Sequence, residues 1–146
     1  TEFTGPGLKT ARVGRGSATA DYDNDGDVDI FVSNSGQPSM LLRNDGGNRG
    51  HWLTISTVGR LSNRDGIGAR IRVVAGDLVQ IREVRSGSSY LSQSDLRVHF
   101  GLGMRDRVDR VEIYWPSGIV QVLEQVSVDQ FFVAQEPMPA DVDGES

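Results

Sequence analysis

Asp stands at every second position in Asp21-Tyr22-Asp23-Asn24-Asp25-Gly26-Asp27-Val28-Asp29, and this stretch constrains the chain more than any other. Carboxylates packed so closely repel one another at roughly 1 to 4 kcal/mol per pair even in well-screened surroundings, so a tight fold here calls for a cation among them. A hard divalent ion meets that need. Calcium takes about six to eight oxygens at roughly 2.3 to 2.6 Å, and a tight loop presenting alternate side chains supplies them, with glycine where the backbone turns sharply. On this reading Asp21, Asp23, Asp25 and Asp29 offer side-chain oxygens, Asp27 offers its backbone carbonyl and Gly26 makes the turn. The competing reading is an acidic surface turn, since Asp, Asn and Gly all favour turns; turn chemistry, however, does not need a carboxylate at every second place.

The spacing opens like an EF-hand loop and closes differently. An EF-hand requires a bidentate Glu at its twelfth position and a helix on each side, whereas the twelfth position here is Val32. Val28, Ile30 and Val32 alternate with Asp29, Phe31 and Ser33, the period of two that marks a strand. The loop therefore enters a β-strand, and Met40, Leu41 and Leu42 make a second short one after a turn at Ser35-Gly36-Gln37-Pro38.

Gly16-Ser17-Ala18-Thr19-Ala20 before the loop, Val28-Asp29-Ile30-Phe31-Val32 after it and Leu41-Leu42-Arg43-Asn44 beyond resemble one FG-GAP (VCBS-type) repeat, the calcium-binding blade unit of integrin-like β-propellers. The resemblance implies Ca2+ as the cofactor of the Asp loop. A propeller needs roughly four to eight blades to close its ring, and these residues supply one.

The rest of the composition narrows the function classes. At 146 residues the chain is one domain, or one with a small appendage, and its formal net charge of -5 argues against a nucleic-acid partner. Cysteine is absent, which excludes a disulfide framework and thiolate metal sites. No apolar run approaches the roughly 20 residues of a membrane span, so membrane insertion is not expected. A chain beginning at Thr1 rather than Met reads as a processed or excised product. Calcium loops of modest affinity suit the calcium-rich outside, so the expected location is secreted, at a bacterial cell surface.

The 18 glycines and the short Val/Ile runs broken by Gly, Asn, Asp and Ser give an all-β texture. Asn44-Asp45-Gly46-Gly47-Asn48 reads as a turn or hinge and sets a boundary. From there strands are expected at 51–58, 69–74, 78–84, 96–100, 108–115, 119–123 and 131–134, enough for two packed antiparallel sheets, because a single sheet of that size leaves an apolar face bare. His51-Trp52-Leu53, Ser62 to Ala69, Gly87 to Ser94, His99-Phe100-Gly101-Leu102-Gly103 and Trp115-Pro116-Ser117-Gly118 are similar to the ASPIC/UnbV module, the segment that follows FG-GAP blades in secreted proteins of the cartilage acidic protein type. The resemblance carries no catalytic assignment.

The remaining chemistry-bearing residues have plain structural readings. His51 and His99, the only histidines, sit in strand-like runs as packed or edge residues. Asn63-Arg64-Asp65-Gly66-Ile67-Gly68 lacks the following helix or Lys of a phosphate loop and reads as a tight loop braced by Arg64 and Asp65. Arg70, Arg72, Arg82, Arg85 and Arg97 lie on polar strand faces, able to pair with Glu83, Asp95 and Glu112, with an acidic glycan as the sharper alternative. Tyr22, Tyr90 and Tyr114 could stack on sugar rings.

The expected molecule is thus an all-β chain: a single propeller-blade-like calcium-loop β unit (1–48), an antiparallel β-sandwich-like module (49–136) and an acidic, Pro-containing tail (137–146). The expected function is a non-enzymatic extracellular calcium-binding module acting in adhesion or self-assembly, with other copies of the chain as partners and Phe3 and Leu8 as plugs of a donated N-terminal strand. Such strand addition would build a filament. The alternatives are a carbohydrate-binding module and an excised C-terminal part of a larger propeller protein.

Overall fold

The computed structural model describes residues 9, 11–87 and 93–142. Phe3, Leu8, Tyr90 and the end of the acidic tail lie outside them. The chain is all-β apart from single helical turns, and it divides into two compact units, one of residues 1–47 with 86–95 and one of 48–85 with 96–146.

The first unit is a three-stranded antiparallel sheet in the order β1 (Gly14–Ala20), β2 (Asp29–Asn34), β3 (Met40–Leu42). The sequence announces β2 and β3 but not β1, whose residues Gly-Arg-Gly-Ser-Ala-Thr-Ala show no apolar alternation. What makes β1 a strand is its ladder to β2, where small residues sit opposite large ones: Ala18 faces Phe31 and Thr19 faces Ile30. Its far edge is covered in part, because the Asp95 N–H donates to the Thr19 carbonyl at 2.9 Å and the Thr19 N–H to Ser94 Oγ at 3.2 Å.

The second unit is a sandwich. One sheet has the order β10 (Gln130–Gln135), β4 (His51–Val58), β7 (Val98–Gly103); the other runs β6 (Leu78–Glu83), β5 (Arg70–Ala75), β8 (Arg107–Tyr114), β9 (Val120–Ser127). Alternate residues of both sheets fill one core: Leu53 and Ile55 on β4, Phe100 on β7, Ile71 on β5 and Val111 and Ile113 on β8 are fully buried. Leu53 and Trp115 are buried as the alternation requires, and the Trp115 indole N–H donates to Gln121 Oε1 at 3.1 Å.

One pairing departs from the expected antiparallel sheets. β10 runs parallel to β4, with Gln130 opposite Leu53 and Gln135 opposite Val58. The reason lies at Asp129, between β9 in one sheet and β10 in the other. Its backbone is left-handed at φ 56, its N–H donates to the Trp52 carbonyl at 2.6 Å, and its Oδ1 accepts the Trp52 N–H at 3.1 Å. The chain is thereby carried across the sandwich to the start of β4 and leaves along it in the same direction.

Candidate calcium site

The Asp loop lies between β1 and β2. Gly26 at φ 94 and Asn24 at φ 58 supply two left-handed positions, the conformation that Gly adopts freely and Asn tolerates. These turns fold the loop back over its own first carboxylate: Asp21 Oδ1 accepts the Asp25 N–H at 3.0 Å and Oδ2 the Gly26 N–H at 2.9 Å. Asp29, at the start of β2, is held by both oxygens too, Oδ2 accepting the Tyr22 N–H at 3.2 Å and Oδ1 the Asn44 N–H at 2.8 Å.

The consequence is convergence. Asp21, Asp23 and Asp29 each present a carboxylate oxygen within 4.8 Å of the others; Asp21 and Asp29 are buried and Asp23 is exposed. Each carboxylate oxygen has two lone pairs, so an oxygen oriented by one amide can still face an ion. The Asp23 carboxyl is raised above the usual carboxylate range, first by desolvation and then by the charges of Asp25, Asp29 and Asp21. Like charge has been gathered where water is being removed.

The two remaining carboxylates are placed differently. Asp25 Oδ1 accepts the Asp27 N–H at 3.1 Å, which holds the turn. Asp27, expected to contribute through its carbonyl, also buries its side chain: Oδ2 accepts the Gly47 N–H at 3.1 Å, while Oδ1 is buried with no hydrogen-bond partner. Desolvation, then the charge of Asp25, raises its carboxyl above the usual range. The Asn44 to Gly47 turn, read from the sequence as a hinge, therefore closes over the Asp loop. Gly47 is required there, since a Cβ would stand 2.5 Å from Asn44 Nδ2 and 2.8 Å from Asp27 Cβ.

Other singled-out residues have structural partners. His51 Nδ1 donates to Asp129 Oδ2 at 2.7 Å; His99 Nδ1 pairs with Thr54 Oγ1 at 3.0 Å and stacks beside Trp52. Arg72 and Arg85 pair with Glu112 and Glu83, whereas Arg82 and Arg97 lie over the rings of Phe100 and Phe131. The Tyr114 hydroxyl donates to Glu112 at 2.8 Å, and Tyr22 is exposed.

The 63–68 loop is held at Arg64 and Asp65 through their carbonyls, which accept the Gly59 N–H at 2.9 Å and the Thr57 hydroxyl at 2.7 Å, and at Asn63 through its side chain. Arg64 and Asp65 stand exposed; Asn63 clamps Ile67 through both its N–H and its carbonyl, at 2.8 Å each. Just before the loop, the fully buried Glu136 accepts the N–H groups of Arg60, Leu61 and Ser62 at 2.7 to 2.8 Å, and the hydroxyls of Ser62 and Ser117. Nothing local in the sequence marks Glu136 for this role, because every partner is distant in the chain.

A profile of the family described as ASPIC and UnbV matches residues 59–140, more than half of the chain. The chain belongs to the ASPIC and UnbV family. It is also similar to cartilage acidic protein 1 of Mus musculus, at 30% identity over 148 residues that cover 95% of this chain and 22% of the mouse protein. The Homo sapiens and Xenopus tropicalis proteins of that name are each 31% identical, over 123 and 114 residues, covering 78% and 72% of this chain and 18% and 16% of theirs. The family match takes in most of the sandwich, while the mouse alignment covers nearly all of the chain. The chain spans about a fifth of the length of these curated relatives. No helix among the described residues is long and apolar enough to cross a membrane.

Proposed function

We propose that this ASPIC and UnbV member is a non-enzymatic, extracellular calcium-binding module, in which an FG-GAP/VCBS-like blade binds Ca2+ and the sandwich presents a protein-binding surface. The observation that carries the proposal is the convergence of Asp21, Asp23 and Asp29 within 4.8 Å, two of them buried. The donor chemistry fits: all-oxygen ligands on a tight, partly preformed loop suit calcium better than zinc or other soft-ligand metals. Asp21, Asp23 and Asp29 would hold the ion, and the unpartnered Asp27 Oδ1 is a further oxygen in the same loop. The ion would supply positive charge that offsets the carboxylate repulsion and ties the start of β2 to the end of β1.

Support for a structural rather than a chemical role comes from how the loop is made. Four of the five carboxylates spend oxygens on backbone amides, which orders the chain around them. The blade-like reading of residues 1–48 is supported by the antiparallel β1-β2-β3 sheet with the Asp loop at its first connection. Titrating calcium into chelator-stripped protein, by calorimetry and by thermal melting, tests the proposal. A saturable heat and a rise in Tm are expected with calcium and not with magnesium at equal concentration; a melting curve indifferent to both ions overturns it.

A further inference from the structure

The outer face of the β6-β5-β8-β9 sheet is patterned in a way that a merely solvated face does not require. Directly opposed residues of neighbouring strands share a face, so the registers Arg72 to Ile81, Arg72 to Glu112 and Glu112 to Val122 string Ile81, Arg72, Glu112 and Val122 into one row across four strands. That row reads apolar, basic, acidic, apolar. Ile81 is 56% exposed and Val122 51%, and the two central residues are paired, Arg72 Nη1 donating to both Glu112 oxygens at 3.0 and 3.1 Å. The flanking rows bring Val79 and Val120 to the same face, each about half exposed. A water-facing antiparallel sheet ordinarily puts polar residues outward; the edge strands of this one put Val79, Ile81, Val120 and Val122 there, beside Glu83 opposite Arg70 and Glu124 opposite Arg110.

We propose that this face is where two copies of the chain pack sheet on sheet, around a two-fold axis lying in the interface and parallel to the strands. Such an axis lays β6 of one copy over β9 of the other, and β5 over β8, without shifting the rows. Ile81 then meets Val122 of the second copy, and Arg72 meets its Glu112, so the two ion pairs merge into one alternating cluster. Arg70, opposite Tyr114 in the next row, lands on the Tyr114 ring of the second copy, a geometry that favours a guanidinium. Charge selects this axis: a two-fold perpendicular to the strands sets Arg72 over Arg72 and Glu112 over Glu112, which like-charge repulsion disfavours. The sheet twist accommodates the stacking, since aligned sheets pack within about 30°.

The size of the face sets the strength. Four strands about 4.8 Å apart and six residues long at about 3.3 Å each offer roughly 400 Å² per copy. Standard stable interfaces bury about 800 Å² per partner, so the contact is of the weak, reversible class. Being isologous it closes on itself and does not propagate, unlike strand addition at a sheet edge.

The chain contains no cysteine, so thiols can be placed singly. Ile81→Cys and Val122→Cys are made as separate proteins and oxidised mildly, each alone and mixed. A disulfide-linked dimer is expected in the mixture, several-fold above either protein alone; cross-linking of Ile81→Cys with itself, or none in the mixture, overturns the arrangement. Sedimentation equilibrium of the unmodified chain provides the second arm. Concentration-dependent dimerisation is expected, weakened about tenfold or more by Ile81→Lys or Val122→Lys because each buries an unpaired ammonium. Val133→Lys, on the other sheet and 62% exposed, leaves it unchanged. A chain that stays monomeric at millimolar concentration, or a dimer indifferent to both lysines, overturns the proposal.

Discussion

Glu136 meets Ser62 twice: its Oε2 accepts the Ser62 N–H at 2.8 Å, and its Oε1 accepts the Ser62 hydroxyl at 2.8 Å. A carboxylate just past the last strand thus fixes a loop 74 residues earlier. Burial alone pushes the Glu136 carboxyl up, but the Ser117 hydroxyl, the Ser62 and Arg60 amides and the Ser62 hydroxyl together outweigh it and hold the group down to about 2.

The pH dependence follows from that direction. The folded-state value lies below the ordinary 4.5, so the stabilisation is complete above the unfolded value and is lost as pH falls from about 4.5 towards 2. Thermal melts between pH 2 and 7 are expected to show this acid arm, and Glu136→Gln to flatten it while lowering Tm at neutral pH. Glu136→Ala orphans several partly buried donors, each worth up to about 1 to 3 kcal/mol, so a loss on the order of 3 kcal/mol is expected in urea unfolding. A melting profile unchanged by either substitution contradicts the assignment.

Gly47→Ala tests the closing turn. The added Cβ meets Asn44 Nδ2 and Asp27 Cβ well inside contact distance, so the turn must open and the Gly47 N–H must leave Asp27. Calcium affinity measured by calorimetry is expected to fall by about tenfold, which corresponds to about 1.4 kcal/mol. Gly36→Ala is the control, since nothing stands near a Cβ there and only its left-handed backbone is strained. Equal affinity in Gly47→Ala and the unmodified chain would mean the turn plays no part in the loop.

How far this was legible in the sequence differs between elements. The strands from 51 to 135 could be read because inward and outward residues alternate along them, as on β5, where Ile71, Val73 and Ala75 are buried and Arg70, Arg72 and Val74 are not. The Asp loop could be read because its repulsion is local. β1 could not, since Gly14 to Ala20 become a strand only against β2, and the parallel β10–β4 pair could not, because alternation carries no information about which distant strand lies alongside. The same limit hid Glu136, whose partners lie 19 and 74 to 76 residues away, and the Asp27 to Gly47 bond, which spans 20.

Under the proposed calcium role, Asp23 and Asp29 are expected to separate ion binding from loop folding. Asp23 is exposed and surrounded by like charge, whereas both oxygens of buried Asp29 hold backbone amides. Asp23→Ala is therefore expected to lose the calcium-dependent rise in Tm while leaving the calcium-free protein no less stable. Asp29→Ala is expected to lose the rise and to lower the calcium-free Tm as well. Identical behaviour of the two variants in calcium-free melts would contradict the division of roles.

The core also predicts which part of the chain stands alone. Every buried apolar side chain among the described residues, from Leu53 to Ala134, belongs to the sandwich, while the buried side chains of the first unit are the acids Asp21, Asp27 and Asp29. Burial of apolar area is the main favourable term in folding, at about 25 cal/mol per Å², and carboxylates gathered without an ion oppose it. A polypeptide of residues 48–142 keeps all seven strands, the Asp129 crossover and Glu136. It is expected to melt cooperatively, with Trp115 emission blue-shifted in the native state and no response to chelator. Residues 1–47 alone are expected to gain structure only as calcium is added, followed by far-ultraviolet circular dichroism. A solvated tryptophan spectrum from the 48–142 polypeptide would show that the sandwich depends on the first unit, and chelator sensitivity in it would place a calcium site outside the Asp loop.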